Sequence, residues 1–294
     1  MSIKNVAVIG GSGNLGPAVV KALIDTGFAV TVLTRIESKA TFPSEVRVHR
    51  TDYDSATSLA EAFAGQDAVV STIATVALGQ QQKIIDAAVK AGVKRFIPSE
   101  FGLNTQKVTG NVAKILGAKL AAQEQLKKAV AENPQFSWTG IATSLFFDWG
   151  LKVGSLGFSV KDKTATIFDS GNEPFTGTNL PTIGLAVASV LKNADTTANR
   201  YIDVASFVTT QNAILAIFQE ETGTKWNVVN KNTSDSLKIA DEKIAKGDYS
   251  AFGDYLKVEL FRDGEGKSAK LEELANEELG VSFGDLRATV KAAL

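Results

Sequence analysis

The chain opens on an apolar run, Val6 to Ile9, that feeds straight into Gly10-Gly11-Ser12-Gly13-Asn14-Leu15-Gly16, after which helical spacing begins at Pro17. Strand, glycine turn and helix in that order constrain most of the fold. Backbone N–H groups at such a turn, with the positive end of the helix dipole behind them, converge on a spot that suits a pyrophosphate. The glycines have separate tasks: Gly10 permits the tight turn, Gly13 lets backbone approach phosphate, and Gly16 lets the helix pack close to the strand. The spacing is G-x-x-G-x-x-G, one residue off the commonest dinucleotide fingerprint, and an ordinary strand-to-helix turn is the alternative. The placement favours the dinucleotide, which makes Ser12, Asn14 and Leu15 candidate contacts beside the three glycines.

Residues 28–33 read as the second strand, with Thr34 and Arg35 at its end. In NAD sites a carboxylate about 20 residues past the glycine turn holds the ribose hydroxyls, whereas an arginine there suits the 2′-phosphate of NADP. Arg35 occupies that place, so the expected cofactor is NADP(H). Lys39 is either a second positive charge for that phosphate or a solvated loop side chain. Glu37 argues the other way, since a carboxylate two positions past Arg35 can reach the ribose.

Strand patterns cover residues 3–9, 28–33, 46–49, 68–72, 94–97 and 136–142, several of them continuously apolar as buried parallel strands are. Helical spacing fills 17–26, 55–64, 79–91 and 111–132. The alternation predicts an α/β fold, a Rossmann-type doubly wound parallel sheet. Ligands of such sheets lie outside the carboxyl ends of the strands, which gathers the glycine turn, Arg35 and segments 71–74, 98–102 and 143–149 around one crevice. Ser71, Thr72, Ser99, Phe101 and Phe146 are the cofactor candidates from those segments. Beyond Trp149 the pattern loosens, with short strands at 165–168 and near 200–204 and helices at 181–191, 211–221 and 234–244. No linker interrupts the chain. Residues 1–150 are expected to form the dinucleotide domain, and 151–294 a smaller, mostly helical substrate lobe packed on it that returns some elements to it.

Composition removes several chemistries. Cysteine is absent and His49 is the only histidine, which disfavours thiolate nucleophiles, zinc catalysis and a Ser-His-Asp triad together. His49 lies in an alternating stretch and reads as a strand side chain. Lys and Arg number 31 against 32 Asp and Glu, so there is no electrostatic footprint for nucleic acid or an anionic membrane. No run reaches the roughly 18 apolar residues of a membrane span, and no export signal opens the chain. The expectation is a cytoplasmic protein, monomer or homodimer, that binds a small molecule and no metal.

Lys119 stands out by helical geometry. Val112, Ile115, Leu116, Gln123, Leu126 and Val130 define one stripe of the 111–132 helix with Lys119 near its centre, while Lys114 and Lys128 fall opposite. An ammonium facing inward requires polar surroundings or a lowered pKa, and a cofactor cleft gives reason for both. Snorkelling to the helix edge is the alternative. Short-chain dehydrogenases usually place a Tyr four residues before the active Lys. That position is Ile115 here, and none of Tyr53, Tyr201, Tyr249 and Tyr255 has a Lys four residues later.

These residues resemble the NmrA-like, isoflavone reductase-like branch of the atypical short-chain dehydrogenases, which includes phenylcoumaran benzylic ether reductases, and look most like its fungal members. The resemblance rests on the glycine turn with Arg35, on Asp52-Tyr53-Asp54, on Arg95-Phe96-Ile97-Pro98-Ser99-Glu100-Phe101-Gly102, and on Lys119; it extends through Thr178-Asn179-Leu180. It implies an NADPH-dependent reductase that passes a hydride to a small, aromatic or conjugated substrate. Lys119 is then the general acid/base, and 99–102 form cleft wall rather than carrying protons. The same family holds a rival, since the NmrA protein binds dinucleotide to control a transcription factor without turning substrate over. Plant reductases carry an Asn-containing stretch where this chain has residues 142–149, which leaves the substrate class open. Phe146, Phe147 and Trp149 are there either an aromatic pocket or plain core.

Overall fold

Runs such as Val6-Ala7-Val8-Ile9 and Val69-Val70 offer no polar face to water, so they are stable only in a sheet covered on both sides. All six of those side chains are wholly buried. The computed structural model describes residues 2–294. Its first half runs β1 (Asn5–Ile9), α1 (Gly16–Asp25), β2 (Ala29–Arg35), β3 (Arg47–Thr51), α2 (Ala56–Phe63), β4 (Ala68–Ser71), α3 (Gln81–Lys90), β5 (Arg95–Ile97), α4 (Gly110–Ile115), α5 (Gly117–Glu132) and β6 (Ser137–Ala142). The second half continues with β7 (Leu145–Phe146), α6 (Phe147–Lys152), β8 (Phe158–Ser159), β9 (Thr164–Phe168), β10 (Phe175–Thr178), α7 (Leu180–Lys192), β11 (Arg200–Asp203), β12 (Phe207–Thr209), α8 (Gln211–Thr222), β13 (Asn227–Lys231), α9 (Thr233–Ala245), α10 (Ala251–Phe261) and α11 (Leu286–Lys291).

Seven strands make one sheet ordered β11-β6-β5-β4-β1-β2-β3, every neighbouring pair parallel. This is the Rossmann-type, doubly wound sheet. The chain leaves β1 for β2 and β3 in one direction, then crosses back to β4 and proceeds in the other. The reversal between β1 and β4 opens the crevice where such sheets bind ligands. One face of the sheet is covered by α1 and α7, the other by α2, α3 and α5. Two small sheets, β12-β10-β7 and β13-β9-β8, support the second region, in which helix outweighs strand.

The 111–132 segment departs from the single helix its spacing predicts. Leu116, with ψ of 13°, leaves the helical region and separates α4 from α5. Gly117 follows it, and a glycine inside a helix costs about 1 kcal/mol relative to alanine. Packing completes the break. α4 docks against Ala240, Ala251 and Tyr255 of α9 and α10, while α5 lies on the main sheet.

Under the sheet, Arg95 has no exposed surface. Its guanidinium donates to Ser137 (2.8 Å), Thr139 (3.1 Å) and Thr197 (3.0 Å) and to the Ala194 carbonyl, so β5 and β6 are fastened to the connection that leads into β11. Burial pushes its pKa down to about 10, with Asp195 opposing the shift. Among the described residues no helix is long and apolar enough to cross a membrane, and no group of three or more His, Asp or Glu is placed to hold a metal ion.

Candidate active site

The turn after β1 is built by steric necessity. Gly10 has a φ of +79°, and a Cβ there would lie 2.6 Å from the carbonyl oxygen of Thr72. A Cβ on Gly16 would run into the backbone of Gly10 and Gly11. The Gly13 N–H donates to the Gly10 carbonyl at 2.9 Å and closes the turn. No side chain caps the N-terminus of α1, and Pro17 in its first turn has no N–H to satisfy. Donors at this helix end are thus left facing the crevice, as an anion site requires. Gly16→Ala is expected to separate strand from helix, weakening binding of the expected dinucleotide by about tenfold or more and lowering stability by about 1–3 kcal/mol. Fluorescence titration and thermal melting read both effects, and an unchanged affinity would show that the turn does not cradle the ligand.

A cleft of about 940 Å³ runs along the carboxyl ends of β1, β2, β4 and β5. Of the residues expected to contact a cofactor, Gly10, Ser12, Gly13, Asn14, Leu15, Arg35, Thr72, Ser99, Phe101, Lys119 and Phe146 line it. Three lie elsewhere: Gly16 supports the turn from behind, Ser71 is enclosed within β4, and Lys39 is exposed beyond the lining. Of the aromatic trio, Phe146 faces the cleft, whereas Phe147 is core, set edge-on to Phe207 at 4.6 Å. Trp149 is half-buried outside the lining.

Several lining residues carry no role in the sequence reading. Tyr53 donates its hydroxyl to the Leu33 carbonyl at 2.8 Å and sits where β2 ends; burial raises its pKa well beyond the usual range, with the charge of Arg35 opposing. Arg35 itself is exposed, with Nε 3.4 Å from Glu37 Oε1. Arg50 holds the loop between them by donating to the carbonyls of Ile36 (3.2 Å) and Ser38 (2.5 Å). On the opposite wall, the Ser99 hydroxyl donates to the Ile73 carbonyl (2.8 Å) and Gln81 accepts from the Ser99 N–H (2.8 Å), tying the β4 loop to the β5 loop.

Lys119 lies in the first turn of α5 and is only 9% exposed, while Lys114 and Lys128 are in solvent. Its Nζ donates to the backbone carbonyl of Glu100. Burial lowers its pKa and the charge of Glu100 acts against that. The Glu100 carboxyl is wholly enclosed, and its Oε2 accepts from Thr105 (2.7 Å) and from Tyr201 (2.7 Å). The Tyr201 pKa is raised by burial and then by the Glu100 charge. The cleft therefore has in one lining the glycine turn, an exposed arginine, a buried lysine and two phenylalanines, Phe101 and Phe146.

The NmrA-like family profile matches residues 2–257 of the chain. An Aspergillus flavus protein named oxidoreductase aprR is 39% identical over 251 residues, covering 84% of this chain and 83% of its own. Oxidoreductase poxI of Penicillium oxalicum is 36% identical over 258 residues, covering 87% and 82%. Among solved structures, AtPrR2 with NADP+ and (+)pinoresinol superposes with a TM-score of 0.82 over 100% of this chain and 99% of that one, at 21% identity. That last likeness is one of fold.

Proposed function

Because the chain belongs to the NmrA-like family, we propose that it is an NADPH-dependent reductase in which Lys119 is the general acid/base. The observation that carries this reading is the placement of Lys119: a buried ammonium in the same cleft as the glycine turn and Arg35. The fungal relatives named oxidoreductases support the class. NADPH, when bound, supplies a hydride to an electrophilic carbon of a small aromatic or conjugated substrate. The chain's part is to position and to manage charge. The N–H groups of Ser12, Asn14 and Leu15 hold the pyrophosphate, and Arg35 pairs with the 2′-phosphate. Phe101 and Phe146 give the substrate apolar walls. Lys119 gives a proton to the oxygen on which negative charge develops, and takes it back in the reverse direction. Residues 1–150 then hold the dinucleotide and 151–294 contribute the substrate side.

The cofactor half of the reading has its own test. Arg35→Ala is expected to weaken NADPH binding by about tenfold or more, the usual loss for a charge-assisted hydrogen bond, while NADH changes by less than about twofold. Equal losses for both cofactors would remove Arg35 from 2′-phosphate recognition.

The reaction is tested by following loss of nicotinamide absorbance against a panel of aromatic enones, quinones and benzylic ethers. Turnover of a panel member establishes the reductase. Tight NADP+ binding with no turnover across the panel would favour a non-catalytic dinucleotide sensor, which has no use for an ammonium facing the cleft.

A further inference from the structure

Enclosing a carboxylate costs several kcal/mol unless other groups answer it. Glu100 has no exposed surface, and its surroundings have a direction. Gln123 donates to Thr105 Oγ1 at 2.6 Å, and the Thr105 N–H donates to the Tyr201 hydroxyl at 3.3 Å. Each hydroxyl, having accepted, spends its own hydrogen on Glu100 Oε2. The 3.0 Å approach between the two hydroxyls then carries no hydrogen. Glu100 Oε1 has no hydrogen-bond partner, so a proton placed there would find no acceptor. Both hydroxyl donors are thus spent on one carboxylate oxygen.

Lys119 Nζ is anchored on the backbone carbonyl of Glu100 without forming an ion pair with its carboxylate, and the two charges act on each other at longer range. The other titratable groups nearby are accounted for. Tyr201, from β11, is held neutral against Glu100, and Asp203 on the same strand is engaged by Asn104 at 2.7 Å with Lys107 at 4.0 Å.

We propose that Glu100 is a positioning residue for Lys119: its carbonyl fixes where the ammonium sits, and its carboxylate, oriented by Thr105 and Tyr201, is the counter-charge that keeps Lys119 protonated inside the cleft. Burial alone favours the neutral amine, and the carboxylate opposes it. The use of that ammonium as a proton donor rests on the reductase reading; the electrostatic coupling does not.

Glu100→Gln keeps shape and an accepting oxygen but removes the charge. The titration of Lys119 is read in the cofactor-free protein from the pH dependence of its modification by a small amine-reactive reagent, with the Lys119 peptide quantified by mass spectrometry. The midpoint is expected to fall by about one pH unit or more in Glu100→Gln, and by less in Tyr201→Phe, which keeps the carboxylate and loses one donor. Where turnover is found, activity needs the ammonium and is lost above the midpoint, so the alkaline limb of the pH profile moves to lower pH by the same amount. A role confined to packing would leave the midpoint of a folded variant in place, and an unmoved midpoint overturns the proposal. Should Glu100→Gln fail to fold, Glu100→Met, which also removes the charge at similar volume, is measured in its place, and a wild-type midpoint there overturns it instead. A shifted midpoint in a protein that turns nothing over supports the counter-charge and counts against the reductase reading alone.

Discussion

Lys119→Ala is expected to lower turnover by about 10²–10⁴-fold while changing NADPH affinity by less than about threefold. The split comes from what the side chain touches. Its Nζ has the Glu100 carbonyl for a partner and makes no hydrogen bond to the glycine turn or Arg35, the proposed cofactor grip. Removing a proton donor acts on the step in which charge develops, not on the resting complex. Lys119→Arg does not restore it, because a guanidinium stays protonated at any working pH and its planar fork does not fit a place shaped for an ammonium. Single-turnover absorbance after mixing separates hydride transfer from binding. A fall in rate matched by an equal fall in NADPH affinity would make Lys119 a binding residue.

The second large effect concerns stability. Arg95→Ala leaves the hydroxyls of Ser137, Thr139 and Thr197 and the Ala194 carbonyl without their donor, inside a layer that admits no solvent. Lost hydrogen bonds and a vacated side-chain volume together are expected to cost about 3–5 kcal/mol. At the usual sensitivity of chains of this size, that lowers Tm by about 10 °C. Arg95→Lys is expected to recover less than half, since one ammonium cannot reach partners spread around a planar fork. A loss below about 1 kcal/mol in thermal melts would show that water replaces the guanidinium.

The alternation from β1 to β6 is legible in sequence because several of the strands are continuously apolar and most of the helices keep their own spacing, both local signals. The glycine turn is legible for the same reason, since the steric demand at Gly10 and Gly16 is met within a few residues. The region beyond Trp149 is much less so. β7 and β8 are two residues long, β10 is Phe-Thr-Gly-Thr, and β13 is exposed throughout, so none presents an alternation long enough to read. The interruption at Leu116 depends on α9 and α10, which lie far along the chain. Lys119 is recoverable from its stripe, yet Glu100 passes as cleft wall, because its carboxylate meets a tyrosine 101 positions away and no local pattern announces that. The one hint is its neighbourhood: a carboxylate that follows buried Phe96, Ile97, Pro98 and Ser99 has little chance of reaching water. Tyr53 sits in a recognisable Asp-Tyr-Asp turn that gives no sign of which carbonyl its hydroxyl seeks.

The seventh strand of the sheet, β11, comes from the second half of the chain and lies parallel against β6. During synthesis the glycine turn, Arg35 and six of the strands are complete well before β11 emerges, and pairing across so long a loop is slow in any refolding chain. Until it arrives, β6 is a raw edge open to another copy of itself. Tyr201, which steadies the charge opposite Lys119, travels on that late strand. On the proposed function, a nascent chain therefore completes the proposed dinucleotide cradle before the strand that brings Tyr201 to Glu100, and the step that covers the edge of β6 is the same one that finishes the surroundings of Lys119.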